Sequence, residues 1–244
     1  MRARNAERGM RNVRATMAVF AVALTLISPR GMVAQVGHAP EHSPYRDLRA
    51  KQSTSVITGF LTGERGSANV GPSHGPVFGV RYDRQVGTAI DILLGLSGAR
   101  LDRFLVEPTL PVATRTTGPI KDDLIFMETG LSLVLTGRKS WRGFVPYVGS
   151  TFGVVFETTV DFAEYQFGTR GEITPHIGIK WFPLQAISFK VEARDVIWRL
   201  KYPGSFFSTQ VTGVPTVLRS GVDQAAEWLH HPTLMLSLGY TFAH

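Results

Sequence analysis

From residue 53 onward the chain alternates. Apolar residues exchange places with polar or small ones over eight segments, approximately 53–63, 76–85, 87–98, 123–136, 144–157, 172–182, 186–198 and 233–242. A period of two marks a β-strand whose two faces meet different surroundings. In the third segment Ile90, Ile92, Leu94 and Leu96 share one face, and Asp91, Leu93, Gly95 and Ser97 the other. The fourth sets Ile125, Met127, Leu131, Leu133 and Leu135 against Phe126, Glu128, Gly130 and Ser132. The sixth opposes Ile173, Ile177, Ile179 and Trp181 to Glu172, Thr174, His176, Gly178 and Lys180. The seventh opposes Ile187, Phe189 and Val191 to Ser188, Lys190, Glu192 and Arg194. Between segments, no run longer than about ten residues carries apolar positions at helical spacing, so an all-β fold is expected.

Segment length separates a soluble sandwich from a membrane barrel. Sandwich strands are typically five or six residues long, whereas crossing a bilayer at a tilt takes about nine to eleven. These segments run to about that length or beyond. Glycines recur on the polar face (Gly79, Gly95, Gly130, Gly149, Gly153 and Gly178 among them), as a narrow closed interior requires. Connections alternate long and short, from about 12 residues to about two, then 24, seven, 14, three and 34. Short turns at one end and long loops at the other define a closed up-and-down antiparallel eight-stranded transmembrane β-barrel.

Charge changes the picture only at the front of the chain. The 26 Lys+Arg against 19 Asp+Glu give a net charge of +7. Residues 1–34 hold Arg2, Arg4, Arg8, Arg11, Arg14 and Arg30 with one acid, Glu7, which leaves 20 basic against 18 acidic residues elsewhere. The remainder has no basic run interleaved with aromatics, so no nucleic-acid partner is expected. The Arg-rich start leads into the apolar Met17–Ile27, too short to span a bilayer, and then to the small Ala34. That pattern reads as a cleaved signal peptide over 1–34, followed by a periplasmic lead over 35–52 and the barrel over 53–244. An exported chain without cysteine draws its stability from something other than disulfides.

The signal-like start, the eight segments, the motif PYVGSTFGVVF (146–156) and the final LSLGYTF together resemble the small outer-membrane β-barrel families typified by OmpX, OmpA and OmpW. The resemblance covers about residues 50–244. It implies residence in the bacterial outer membrane, contact with outer-membrane lipid and lipopolysaccharide, and handling by the barrel-assembly machinery. Gly239, Tyr240 and Phe242 resemble the terminal assembly signal of such barrels, although Ala243 and His244 follow where the family usually ends on the aromatic. Leu234, Leu236 and Leu238 are then expected to face lipid.

The inward charges Arg81, Asp91, Glu128, Lys180, Lys190, Glu192 and Arg194 are the candidate site. Buried charges must be paired, and near-balanced signs point to a salt-bridge network that plugs the lumen, with a proton or ion pathway as the alternative. The resemblance also raises two enzyme types, a lipid A palmitoyltransferase and a lipid A deacylase. The deacylase pattern His-x-Ser is absent; His176 has no evident nucleophile, and Ser73-His74 carries no known motif. His230-His231 could hold a metal only if adjacent side chains on an extended chain converged, so no metal and no cofactor is expected. Trp141, Phe144, Trp181, Phe182, Tyr240 and Phe242 are expected as a periplasmic aromatic girdle, with Phe156, Trp198 and Tyr202 toward the external side. The long 199–232 connection is rich in apolar residues, and is expected to fold over the mouth or meet a partner, with a short helix around Asp223–Leu229. The expected function is non-catalytic, in envelope structure or surface interaction through the external loops. The alternative is an OmpW-like narrow channel for small hydrophobic molecules.

Overall fold

A computed structural model describes residues 43–48, 51–158, 164–209 and 211–242. The proposed signal peptide, most of the lead before the first strand, and Ala243-His244 lie outside the described residues. The described residues form ten strands, β1 (Tyr45–Asp47), β2 (Gln52–Leu61), β3 (Gly75–Val86), β4 (Ile90–Val106), β5 (Thr116–Val134), β6 (Lys139–Trp141), β7 (Phe144–Glu157), β8 (Thr169–Leu184), β9 (Ile187–Lys201) and β10 (Ala226–Phe242). Eight of them form the wall in the order β2-β3-β4-β5-β7-β8-β9-β10, every neighbour antiparallel. Pairing of β10 with β2, from Thr233↔Leu61 to Phe242↔Gln52, closes the wall, so no long edge is left to aggregate. The fold is a closed up-and-down transmembrane β-barrel.

The exterior explains why the alternation was so regular. Leu94, Leu96, Met127, Leu131, Ile177, Ile179, Val191, Leu234, Leu236 and Leu238 all point outward and are exposed. A soluble protein rarely leaves a continuous apolar band of this kind in water; hydrocarbon is the solvent that suits it. At the short-turn end the band is bordered by Trp141, Phe144, Trp181 and Tyr240, with Trp181 stacked between Phe144 (6.1 Å) and Phe189 (5.7 Å). Tyr240 and Phe242 stack at 6.4 Å beside them.

Several strands continue past the band on the long-loop side, and there the polarity of the two faces inverts. On β4, outward Ile92, Leu94 and Leu96 give way to outward Arg100 and Asp102, while inward Asp91 gives way to inward Ala99 and Leu101. On β9, outward Phe189 and Val191 are succeeded by Arg199 and Lys201, and inward Lys190, Glu192 and Arg194 by Val196, Trp198 and Leu200. The backbone period is unbroken. Only the solvent outside has changed, from lipid to water, so the apolar residues move to the interior. The interior therefore has two tiers: a charged one within the band and an apolar one above it.

This inversion corrects two expectations. Trp198 and Tyr202 are not outward girdle residues; both are buried in the apolar tier, Trp198 with no exposed surface. The region around Asp223–Leu229 is not a helix, since β10 begins at Ala226 and pairs Ala226↔Lys201 through Leu229↔Trp198 with β9. The 199–232 connection shortens accordingly to 202–225 and does fold inward: Phe206 and Leu218 join the apolar tier, held by a 2.8 Å bond from the Leu218 N–H to the Phe206 carbonyl. At the other end, β1 pairs with β6 and the Leu48 N–H donates to the Arg138 carbonyl at 2.8 Å, drawing the lead across the short turns. The tight β3–β4 turn is possible because Gly87 takes a φ of +71°, a region closed to most side chains.

Candidate functional site

Within the band, odd positions of β3, β4 and β7 and even positions of β5, β8 and β9 point inward, and most carry a polar or charged group. Arg81 on β3 is fully buried and grips Glu192 on β9, Nη1 to Oε2 at 2.9 Å and Nη2 to Oε1 at 3.1 Å. Lys190 pairs with Asp83, Lys180 with Asp91, and Arg194 with Glu128. Each of these pairs joins strands three places apart round the wall: β3 with β9 twice, β4 with β8, and β5 with β9. The pairs are chords through the lumen rather than ladders along the wall.

Hydroxyls and rings complete the tier. The Tyr147 phenol donates to Glu192 Oε2 at 2.8 Å, and Arg194 Nε lies 3.3 Å from Glu192 Oε1. Thr151 Oγ1 donates to Glu128 at 3.2 Å and accepts from Arg194 at 3.1 Å. Ser53 donates to Asp83 at 3.3 Å; His176 Nε2 meets Ser132 Oγ at 2.9 Å; Glu172 accepts from Thr174. Ionic groups out of water are tolerated only where each finds partners of this kind. Gly178 is what lets Tyr147 reach Glu192. It pairs with Tyr147 on one side and Glu192 on the other, and a Cβ there would stand 2.5 Å from the phenol oxygen.

All seven residues named from the sequence lie on the inward face and are buried. Asp83 and Tyr147, which alternation had not singled out, supply the partner of Lys190 and a donor to Glu192. A small cavity of about 40 Å³ opens at the short-turn end of this tier, lined by Asp83, Asp91, Lys180 and Lys190, with Leu48 and Lys51 of the lead at its rim.

Above the charged tier sits an aromatic cluster around Trp198. Phe167 meets its ring edge-on at 5.3 Å, Phe126 lies at 6.2 Å, and His231 stacks on it at 3.9 Å. One buried cation enters this level: Arg103, 3.0 Å from Glu157 and 3.7 Å from Asp122. The loops are tied to the rim by Glu227, which accepts from Ser67 N–H (2.6 Å), Ser67 Oγ (3.1 Å) and the Tyr202 phenol. Burial, then the Glu227 acceptor, pushes the Tyr202 phenol above its ordinary range.

The other sequence candidates separate. His230 faces outward and bonds Asp195 at 2.7 Å, while His231 faces inward onto Trp198, so their rings lie on opposite sides of the wall. Ser73 Oγ lies 2.7 Å from His74 Nδ1, but Ser73 has no exposed surface and its hydroxyl also reaches the Asp102 carbonyl at 3.3 Å. Gly239 points inward, Tyr240 outward with 62% exposure, and Phe242 is half-buried at the strand's end.

The geometry defines a class: a membrane-spanning barrel of eight strands with a charged, hydrogen-bonded interior. No protein-family description matches the sequence, and no curated protein matches it. Among solved structures, the chain is similar in fold to Neisserial surface protein A (8% identity, TM-score 0.46, 82% of this chain and 98% of that one). It is also similar to the N-terminal β-barrel domain of Pseudomonas aeruginosa OprF (9% identity, TM-score 0.43, 79% of this chain and 99% of that one). A third similarity is to the outer membrane enzyme PagL (8% identity, TM-score 0.39, 75% of this chain and 97% of that one).

Proposed function

We propose that this chain is an integral protein of the bacterial outer membrane whose lumen is plugged, and that it acts without catalysis, in envelope structure or surface contact through its long loops. The observation that carries the reading is the set of chordal ion pairs. Four of them cross the interior, each between buried partners, and a packed apolar cluster lies over them. A solute path would have to break both. What supports the non-catalytic reading is that the serines bonded to a histidine are enclosed: Ser132, 2.9 Å from His176, is buried in the charged tier. Ser73, the one serine bonded to a neighbouring histidine at the rim, is fully enclosed. The short-turn end then faces the periplasm and the long loops the exterior, with export through a cleaved signal peptide at 1–34. Gly239, Tyr240 and Phe242 would serve as the assembly signal read by the barrel-assembly machinery.

The runner-up, a narrow conduit for small hydrophobic molecules, is favoured by one feature: the interior above the charged tier is apolar. Planar-bilayer recording separates the two readings. The plugged barrel predicts no steady conductance; stepwise conductance blocked by an apolar solute would establish the conduit instead. Lipid A from cells expressing the chain is expected to be unchanged in mass, and a lost or added acyl chain would mark an enzyme.

A further inference from the structure

The outer wall above the apolar band is charged, and almost all of that charge is matched. Arg100 lies 3.7 Å from Asp123, Lys121 pairs with Asp102, and His230 bonds Asp195 at 2.7 Å. Arg199 and Lys201 break this rule. They occupy successive outward positions on β9, about 7 Å apart along the strand, both are exposed, and beyond the backbone ladder neither side chain forms a hydrogen bond or ion pair with any described residue.

The wall beside them is hollow. A groove of about 560 Å³ runs over β8, β9 and β10, walled by Arg199, Lys201 and Trp228, with Gly171 on its floor and Ile173 at its lower end. Gly171 leaves the space open: an added Cβ would meet nothing nearer than the Gly153 carbonyl at 4.0 Å. Trp228 stands directly opposite Arg199 in the β9–β10 register and is 60% exposed. Ile173, 48% exposed, belongs to the apolar band, so the groove begins where hydrocarbon ends. An indole at that depth sits where membrane interfaces favour tryptophan.

We propose that this groove binds the phosphorylated headgroup of an outer-leaflet lipid, with Arg199 and Lys201 on the phosphate, Trp228 against the headgroup, and the acyl chains running down the wall past Ile173. Charge complementarity and continuity with the apolar band identify the occupant. Two unmatched cations need an anion, and a groove that opens into the band admits one that carries its own hydrocarbon. The inference rests on the outer-membrane reading above and specifies one place where the lipid is held.

The test uses the full barrel refolded into phosphatidylcholine nanodiscs carrying a small fraction of diphosphoryl lipid A, or of the same lipid with its phosphates removed. Lipid retained after transfer to mild detergent is counted by native mass spectrometry. The wild-type protein is expected to keep the phosphorylated lipid preferentially. The R199Q/K201Q variant is expected to keep it about tenfold less well, and R100Q/K121Q, which loses the same charge from paired positions, nearly as well as wild type. Equal retention of both lipids, equal loss in both variants, or displacement by millimolar inorganic phosphate would each overturn the site, the last by making it a soluble-anion site. Failure of the wild-type chain to insert, read as the absence of heat-dependent gel migration, would overturn the membrane reading beneath it instead.

Discussion

Arg81 and Glu192 stand 111 positions apart in the chain and meet inside the barrel, two guanidinium nitrogens on two carboxylate oxygens at 2.9 to 3.1 Å. Both are buried, and Tyr147 and Arg194 hold Glu192 from its other sides. Removing either partner strands a charge away from water. R81Q and E192Q are each expected to cost about 3–5 kcal/mol, and the double variant less than the sum of the two. Urea unfolding in lipid vesicles measures the cycle, and strict additivity would show that the two side chains do not act as a pair.

Gly178 serves as the floor beneath Tyr147. Gly178→Leu is expected to displace the phenol from Glu192 and to destabilise the barrel by about 1–3 kcal/mol through overpacking. Gly171→Leu, at a glycine facing open space on the same strand, is expected to cost well under 1 kcal/mol. Unfolding midpoints of the two variants compare them directly.

The apolar tier is a packed core in its own right, with Trp198 at its centre. Trp198→Ala is expected to cost about 3–5 kcal/mol. Leu236→Arg, at a lipid-facing position, is expected to cost about 2–4 kcal/mol in a bilayer and much less in detergent micelles, where the ring of lipid is deformable. The difference between bilayer and micelle distinguishes inner from outer positions, because Trp198→Ala should cost the same in both.

Tyr202 gives the fold an alkaline limit. Its phenol is held neutral by burial and by donating to Glu227, so its folded pKa is raised above the ordinary value of 10.0. A raised pKa contributes stability that is complete below that ordinary value and is lost as pH climbs from there toward the folded one. Tyr202→Phe is therefore expected to lower stability by about 1.5–3 kcal/mol near neutrality and to flatten the decline above about pH 10. Unfolding free energies across the alkaline range check it, and a parallel decline in both proteins would contradict the assignment.

The eight barrel strands were legible because lipid enforces alternation, and within the band only isolated positions depart from it, such as inward Leu93 and outward Thr129 and Ser150. Legibility ended where lipid did. Past Leu96 and Val191 the outward positions become Arg100, Asp102, Arg199 and Lys201, which read as loop when the apolar face is taken as the marker of a strand. The same inversion of polarity made Trp198 and Tyr202 look like interfacial rings when they are buried at that depth, and made a strand start at Ala226 look like a helix beside Trp228 and Leu229. In the charged tier, alternation assigned Arg81, Asp91, Glu128, Lys180, Lys190, Glu192 and Arg194 to the inward face but not to one another. Chordal partners three strands apart depend on closure and stagger, which local pattern does not carry. Asp83 was missed because Arg84 and Gln85 follow it near the turn, where both faces are polar and only the phase set by Arg81 distinguishes them.

The chain has no cysteine, so single thiols report one position at a time. Nitroxide labels placed at positions 234 through 239 of the refolded protein in vesicles, scanned for collision with oxygen and with a water-soluble nickel chelate, test whether hydrocarbon lies outside the wall and polar groups within it. L234C, L236C and L238C labels should be mobile, rich in oxygen collisions and shielded from nickel. M235C and S237C labels should be immobilised and reached by neither reagent. Nickel access at the leucine positions, or loss of the two-residue period, would contradict the account at its foundation.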